Sequence, residues 1–588
     1  MVLHSKGIFF IYIVLFSTLV HHSSVLAGGV NGGTVCLGCT AVVSISQQLA
    51  EHWNTTFSNA YGRLCSYLPS PFGTACSVLG KFFLPAIIPY QNLTADVICH
   101  SIKLCYTDKG QSACKLHPKS KLSKNFAKTV EKIRKSIKEK KILQEVYNDF
   151  VEKPTFDVCD IPVVKEVCKF FDHVGSGLPI LDFDGDRFSS YSSLRGYSWR
   201  GKDCNDFLKT HHPGRKPISD DVFFDSNCNG ISGFNVAKWK SWEEILCKDT
   251  GAQGTIVLGD SIAAHFHIPP PWLTATEINQ TVFQNLLFVL ENEFDWPMMG
   301  AFTAFLNQTD WPQVISGPVD SVYKHVVTRN LCNHRDYQNI GKNGADSFDM
   351  NNILVKALAR NNETDYPALV FYSLFGNDVC NSSPSPENMT TPEEMKTNAL
   401  KTMDTLDKML PNGSHVVMLG LADGKILYES MHNRIHPIGK LRKDITYSTV
   451  YDYLNCLQIS PCAGWLNSNA TIRNATTKRA NELSQVLENI AETHKYKNFD
   501  LTFIPHDLDE AIKMWKESGK DHETWQLIEP VDGFHPNQNG LALIAKFLVQ
   551  TMESKFPHFL GKVNPNNHII KKLFGNQGGY NYLNENLI

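Results

Sequence analysis

The sequence predicts a small all-α unit stapled by disulfides, then an acidic loop segment, then an α/β unit built on a doubly wound parallel sheet. Three observations carry this reading. Six cysteines crowd between Cys36 and Cys105 in a stretch with helical periodicity. Carboxylates alternate along 182–186 and recur along 221–229. Beyond residue 250, short apolar runs at 255–258, 368–373, 416–419 and 501–504 alternate with helical runs such as 276–290 and 392–410. Buried parallel strands read as continuous apolar runs, and strands separated by helices build βαβ units.

Composition agrees with folded, exported domains. At 588 residues the chain is long enough for roughly three or four domains. Apolar residues make up 42% and charged ones 20%, enough for packed cores. A formal net charge of -3 argues against nucleic acid as a partner. Sixteen cysteines point to an oxidising, secretory compartment. So do the Asn-x-Ser/Thr sequons at Asn54, Asn92, Asn279, Asn307, Asn362, Asn381, Asn388, Asn412, Asn469 and Asn474, which make several glycans expected.

At the N-terminus, Lys6 supplies positive charge, residues 8–20 are apolar, and Val25-Leu26-Ala27 offers a small-residue cleavage site. Residues 1–27 therefore read as a removed signal peptide, the alternative being an anchor. No later run of about 18 or more apolar residues is evident, so no transmembrane segment is expected in the mature chain.

Residues 28–114 hold Cys36-x-x-Cys39, Cys65, Cys76, and Cys99-x5-Cys105. The first pair opens an amphipathic run with Val42, Ile45, Leu49 and Trp53 on one side. A Cys-x-x-Cys can also bind zinc or run redox chemistry, but zinc wants a second ligand pair at finger spacing, and export favours bridges. Six cysteines allow fifteen pairings, and spacing alone does not choose among them.

Residues 115–178 follow as a basic linker. It is rich in lysine, at 119, 121, 124, 128, 132, 135, 138, 140 and 141, with Arg134 among them. Phe126, Val130, Ile133 and Ile137 keep helical spacing. A solvated amphipathic spacer, a surface for an anionic headgroup and a processing site for a protease are the open readings. Cys114, outside the six-cysteine set, can bridge two halves of a cut chain.

Residues 179–250 form the acidic segment. Asp182, Asp184 and Asp186 alternate in a loop ending at Phe188; Asp203, Asn205 and Asp206 follow; then come Asp221, Asp225, Asn227, Asn229 and Ile231. Ca2+ takes six to eight oxygens, and Asp-x-Asp-x-Asp spacing supplies several from one loop. The EF-hand pattern is not met, because Ser193 stands at the twelfth loop position. The expectation is a calcium-wrapped loop pinned by a Cys204–Cys228 bridge, with Ca2+ in a structural role and more than one ion accommodated. The alternative is a plain acidic surface loop.

Residues 251–588 carry the chemistry. The apolar run 255–258 breaks at Gly259-Asp260, and Ser261 follows, with Ala263 and Ala264 small enough for a helix to start close by. A strand that ends in a Gly turn and delivers one hydroxyl suits a nucleophile. Near the far end stands Asp532-Gly533-Phe534-His535-Pro536. A serine nucleophile needs a base and the base needs an orienter, and Asp and His three apart can supply both. Leu541, Ile544, Ala545, Leu548, Val549 and Met552 then recur at helical steps, with Asn537 or Asn539 as the cap. His265 and His267 stand close enough to touch a polar headgroup, though packed or exposed histidines are the plainer reading. Cys456 and Cys462 are expected to close a short local loop. The Gly-x-Ser-x-Gly elbow and the zinc motif His-Glu-x-x-His are both absent around these residues.

These blocks resemble the GDSL, or SGNH, hydrolases: Gly259-Asp260-Ser261, Gly300 after Pro297-Met298-Met299, Gly376-Asn377-Asp378, and Asp532 with His535, in the family order. The resemblance implies Ser261 as nucleophile, His535 as base and Asp532 as its partner, with the Ser261 and Gly300 N–H groups and the Asn377 side chain as oxyanion hole. The six-cysteine unit resembles a saposin B-type domain, a helical leaf that handles lipids, which implies Cys36–Cys105, Cys39–Cys99 and Cys65–Cys76. The order of parts, with the stretches 196–206, 225–231 and 261–267, resembles the acyloxyacyl hydrolases. That resemblance implies a secreted or lysosomal esterase that removes secondary acyl chains from the lipid A of lipopolysaccharide. It also implies a chain cut into small and large subunits that stay disulfide-linked. A broader phospholipid or acylglycerol esterase and a non-catalytic lipid-transfer protein are the alternatives.

Overall fold

The structure is a computed structural model that describes residues 29–70, 72–118, 125–138, 176–307, 314–506 and 508–580. The expected signal peptide, and the basic stretch at 119–124 and beyond 138, lie outside the described residues.

The N-terminal leaf is built from α1 (Gly33–His52), α2 (Phe57–Tyr67), α3 (Phe72–Ile87) and α4 (Ala95–Ser101). Bridges Cys36–Cys105 and Cys39–Cys99 clamp α1 to the α4 end, and Cys65–Cys76 ties α2 to α3. These are the three pairings the saposin resemblance implies. By length and composition α1 passes as a membrane span, but Cys36, Ile45 and Leu49 are buried in the leaf. The lysine-rich stretch contributes α5 (Phe126–Lys138). Its Val130, Ile133 and Ile137 pack with Val97 of α4, and Arg134 donates to the His100 carbonyl. A face of that basic stretch therefore belongs to the leaf.

Cys114 pairs with Cys456, 342 residues on, and Cys462 pairs with Cys380. The expected local loop between Cys456 and Cys462 is thus corrected. Cys456 sits near the end of a helix turned toward the leaf, while Cys462 lies beyond a left-handed cap at Gln458 and is buried. Cys204–Cys228 is present as expected, and Cys247–Cys332 joins the acidic segment to the α/β unit.

The α/β unit carries five parallel strands: β1 (Gly254–Gly259), β2 (Tyr337–Gly341), β3 (Ala368–Ser373), β4 (Ser414–Leu419) and β5 (Phe499–Ile504). Their order is β2-β1-β3-β4-β5. The winding direction changes between β1 and β3, and ligands in such sheets bind at the strand C-termini beside that switch. Gly259 pairs with Ser373, so both strands end level there.

Side chains alternate across the sheet. Ile256, Leu258, Val370, Tyr372, Val416 and Met418 join one core with α7 (Pro392–Met409) and α9 (Ala470–Thr493). Val257, Leu369, Phe371, Val417 and Leu419 join another with α10 (Gln538–Lys555). Between α7 and α9 stands α8 (Tyr447–Leu457). Asn537 caps α10 by accepting from the Asn539 and Gly540 N–H groups.

Two elements differ from the sequence reading. The run 276–290 is helical only at Leu286–Glu291. Upstream, Asn279 Oδ1 accepts from the Thr281 N–H and hydroxyl, a local turn that competes with helix. Strand β2 was hidden because its Gln338 and Asn339 are polar, yet both are buried and satisfied. Gln338 exchanges hydrogen bonds with the Ala359 main chain, and Asn339 donates to Ala263 O. The acidic segment covers the outer edge of β2: Asn339 N–H donates to Trp199 O, and Gly201 N–H to Tyr337 O.

Candidate active site

Strand β1 ends at Gly259 because a Cβ there would collide with Ala263 and the Ser373 carbonyl. The chain then turns into α6 (Ser261–Ala264). Asp260 caps this turn: its Oδ1 accepts from Ile262 N–H at 3.0 Å, and its Oδ2 accepts from Phe375 N–H at 2.7 Å. One carboxylate thus straps the end of β1 to the end of β3, and fixes Ser261 relative to Asn377.

The base arrives from the loop before α10. His535 Nε2 lies 2.7 Å from Ser261 Oγ, and His535 Nδ1 lies 2.6 Å from Asp532 Oδ2. Asp532 Oδ1 also accepts from the Phe534 and His535 N–H groups. Burial alone would push the Asp532 carboxyl up, but the His535 charge and these hydrogen bonds outweigh it and hold it below the usual carboxylate range. Burial likewise pushes the His535 imidazole down, but Asp532, with Asp260 and Glu529 behind it, raises it overall. Ser261 and His535 are each 7% exposed, so the pair is nearly dry yet reachable. Hydroxyl, base and orienting carboxylate are in hydrogen-bonded sequence across 274 residues of chain.

Around the hydroxyl, Asn377 follows β3 and donates one Nδ2 hydrogen to Ala345 O at 2.9 Å, which leaves the second hydrogen of that amide. Gly300 lies against the nucleophile turn; a Cβ there would sit 3.4 Å from His265 Cβ. Its N–H donates to Pro297 O at 3.2 Å. Asp378 turns away from Ser261 and accepts from Ser347 N–H.

His265 and His267 line no open surface; they are 1% and 5% exposed. The headgroup alternative is thereby corrected. Burial lowers the His265 imidazole to about 3, and its Nδ1 lies 3.0 Å from Trp296 O. His267 Nδ1 lies 2.8 Å from Glu529 Oε1. Burial opposes charge on both: it raises Glu529, while Glu529 outweighs burial at His267 and raises that imidazole overall. Between these histidines Phe266 packs on the His535 ring at 4.9 Å. Glu529 carried no sequence signal, since Ile-Glu-Pro reads as an ordinary loop.

The acidic segment brings two groups together: Asp182, Asp184 and Asp206, and Asp184, Asp186 and Asp203. Asp182 uses both oxygens inside the loop, accepting from Gly185 and Arg187 N–H, and Asp206 uses both, on Phe183 N–H and on Ser190; Asp184 and Asp203 each use one, on Asp186 N–H and Asn205 N–H. Asp186 accepts from Phe188 N–H. The second oxygens of Asp184, Asp186 and Asp203 are buried without a hydrogen-bond partner. Burial raises Asp186 to about 8 and Asp203 to about 7. Orphaned, desolvated carboxylate oxygens converging on one point fit a hard cation. In the second stretch Asp225 accepts from Asn229 and Gly230 N–H, Asn229 from Ile231 N–H, and Asp221 from Ser226. Glu243, raised to about 8 by burial, accepts from the Asn227 and Asn229 amides. The sequence reading had not included it.

Sheet order, switch-point serine and the Ser-His-Asp chain define a serine ester hydrolase. A family model described as GDSL-like Lipase/Acylhydrolase matches residues 256–548, and one described as Saposin-like domain matches 35–169. A human acyloxyacyl hydrolase is 42% identical over 556 residues, 94% of each chain. The mouse protein of that name is 42% identical over 93% of this chain and 94% of its own, and the rabbit one 41% over 93% of each. The chain belongs to the acyloxyacyl hydrolase family.

Proposed function

We propose that this chain is an exported esterase that removes secondary, acyloxyacyl-linked fatty acyl chains from the lipid A of lipopolysaccharide. The observation that carries the reading is the 2.7 Å contact between Ser261 and His535 in a chain whose saposin-like leaf is covalently joined to the hydrolase unit. His535 takes the Ser261 proton as the hydroxyl attacks the ester carbonyl. The oxyanion is held by the Ser261 N–H and the Asn377 amide, each such donor being worth about 2.7–4 kcal/mol of barrier, and Gly300 joins them once its N–H turns from Pro297 O. His535 protonates the leaving hydroxyacyl oxygen, then activates water to clear the acyl-enzyme. The leaf shelters the acyl chain, whose transfer favours an apolar site by about 0.8 kcal/mol per buried methylene.

Asp182, Asp184, Asp186, Asp203 and Asp206 would hold structural Ca2+, which supplies charge neutralisation to the loop and takes no part in the ester chemistry. Seven disulfides among the described residues support a secretory, secreted or lysosomal setting. The sequon asparagines are exposed apart from Asn381, which is half-buried, as glycan acceptors require.

Purified protein incubated with lipid A should release secondary acyl chains while primary ones stay, read by product mass. Ser261→Ala should abolish release. Equal release from phospholipids or acylglycerols would point to a broader esterase. Lipid uptake with no free fatty acid, and no effect of the substitution, would leave a lipid carrier.

A further inference from the structure

The catalytic loop and the leaf are fastened to opposite faces of α8. Tyr451 OH donates to Gly533 O at 2.7 Å, and Tyr447 OH donates to Pro530 O at 2.5 Å. His436, just upstream, lies with Nε2 2.7 Å from Val531 O. These contacts pin the carbonyls that flank Asp532. The fit is close: Gly533 has φ +62°, and a Cβ there would strike the Tyr451 hydroxyl. On the other side, Tyr453 OH lies 2.9 Å from Thr40 Oγ1 of α1, Val30 N–H donates to Leu457 O, and Cys456 carries the bridge to Cys114.

Residues two apart on a helix point about 200° apart, so Tyr451 and Tyr453 face opposite ways. Packing divides along the same line. Val450, Tyr453 and Leu457 join the core that holds Ile45 and Leu49 of the leaf. Tyr447 and Tyr451 join the core that holds Ile528 and Phe534 of the catalytic loop.

We propose that α8 transmits the seating of the leaf to the base, with Tyr451 and Tyr447 as positioning residues for Asp532 and His535. The leaf is then part of the catalytic frame as well as a shelter for acyl chains. A helix moves as a rigid body, so displacing its leaf-facing side displaces the carbonyls at 530 and 533. Asp532 lies between them and sets the imidazole through its hydrogen bonds. A misplacement of about 1 Å can cost about 100-fold in rate. This inference rests on ester hydrolysis at Ser261 and is independent of the lipid substrate.

The test uses the full chain and p-nitrophenyl butyrate, a soluble ester too small to need the leaf. Tyr451→Phe should lower kcat about 10-fold with KM unchanged, and should shift the acid limb of the pH–rate profile as the Asp532–His535 contact loosens. On the far face, Tyr453→Phe and Thr40→Val should each lower kcat on the same ester about 3-fold, and their effects should not add, because they remove one contact. Assays run well below each variant's melting temperature; if Tyr451→Phe does not fold, the two far-face variants decide. Far-face variants with parental kcat on the small ester, but reduced lipid turnover, would overturn the proposal: the leaf would then only bind lipid. So would Tyr451→Phe with unchanged kcat and pH profile. Hydrolysis persisting in Ser261→Ala is a different failure, that of the nucleophile assignment.

Discussion

Asp532 accepts from the His535 ring and from two main-chain N–H groups, so its charge is fixed beside the imidazole. It raises His535, and the base works only when neutral, so the rate should climb with pH through a midpoint above that of free imidazole. Asp532→Asn should lower kcat by about 1,000- to 10,000-fold and move the residual acid limb to lower pH, as a pH series on a soluble ester would show. The sign for stability is opposite. His535 has a raised folded value, so its contribution is fully present below the unfolded imidazole value and is lost as pH rises through the folded one. At this scale the sequence was informative about reacting atoms, because Ser261, Asp532 and His535 lie in short blocks. It was silent about Asp260 and Glu529, whose roles depend on Phe375 and His267, 115 and 262 residues away.

The loop around Asp184, Asp186 and Asp203 stores repulsion and desolvation that a cation would relieve. With folded values raised to about 8 and 7 for Asp186 and Asp203, the cation-free loop loses stability as pH rises from the unfolded carboxylate value toward them. Chelation should therefore lower the melting temperature more at pH 8 than at pH 5, and Ca2+ uptake should release protons. Melting curves with and without chelator at the two pH values check this; no difference at either would remove the metal from the loop. Strands β1, β3 and β4 were readable because both their faces meet apolar cores, and β5 because Phe499, Leu501 and Phe503 give one apolar face. Strand β2 was not, because Gln338 and Asn339 are satisfied by groups that only the fold brings near. The run 276–290 had the apolar spacing of a helix, but one asparagine side chain diverts it.

Across the whole molecule, Cys114–Cys456 joins the leaf to α8. A protease cut within the lysine-rich stretch 119–141 should leave two pieces that migrate together on a non-reducing gel and separate on a reducing one. Co-migration should be lost in Cys456→Ser. The sequence showed that Cys114 lay outside the leaf's set; it could not show its mate, because 342 residues separate the two. The leaf's own bridges have a mechanical consequence. Helix α1 is riveted at two points, to α4 by Cys39–Cys99 and to the chain just beyond it by Cys36–Cys105, and is further held to the hydrolase unit through Gln48 on Ile438 O and Glu51 on Arg442. One jaw of the leaf is therefore bolted to the enzyme. The α2–α3 hairpin is closed on itself by Cys65–Cys76 and carries no disulfide to α1 or the hydrolase unit among the described residues, so the leaf can part on that side without breaking a bridge.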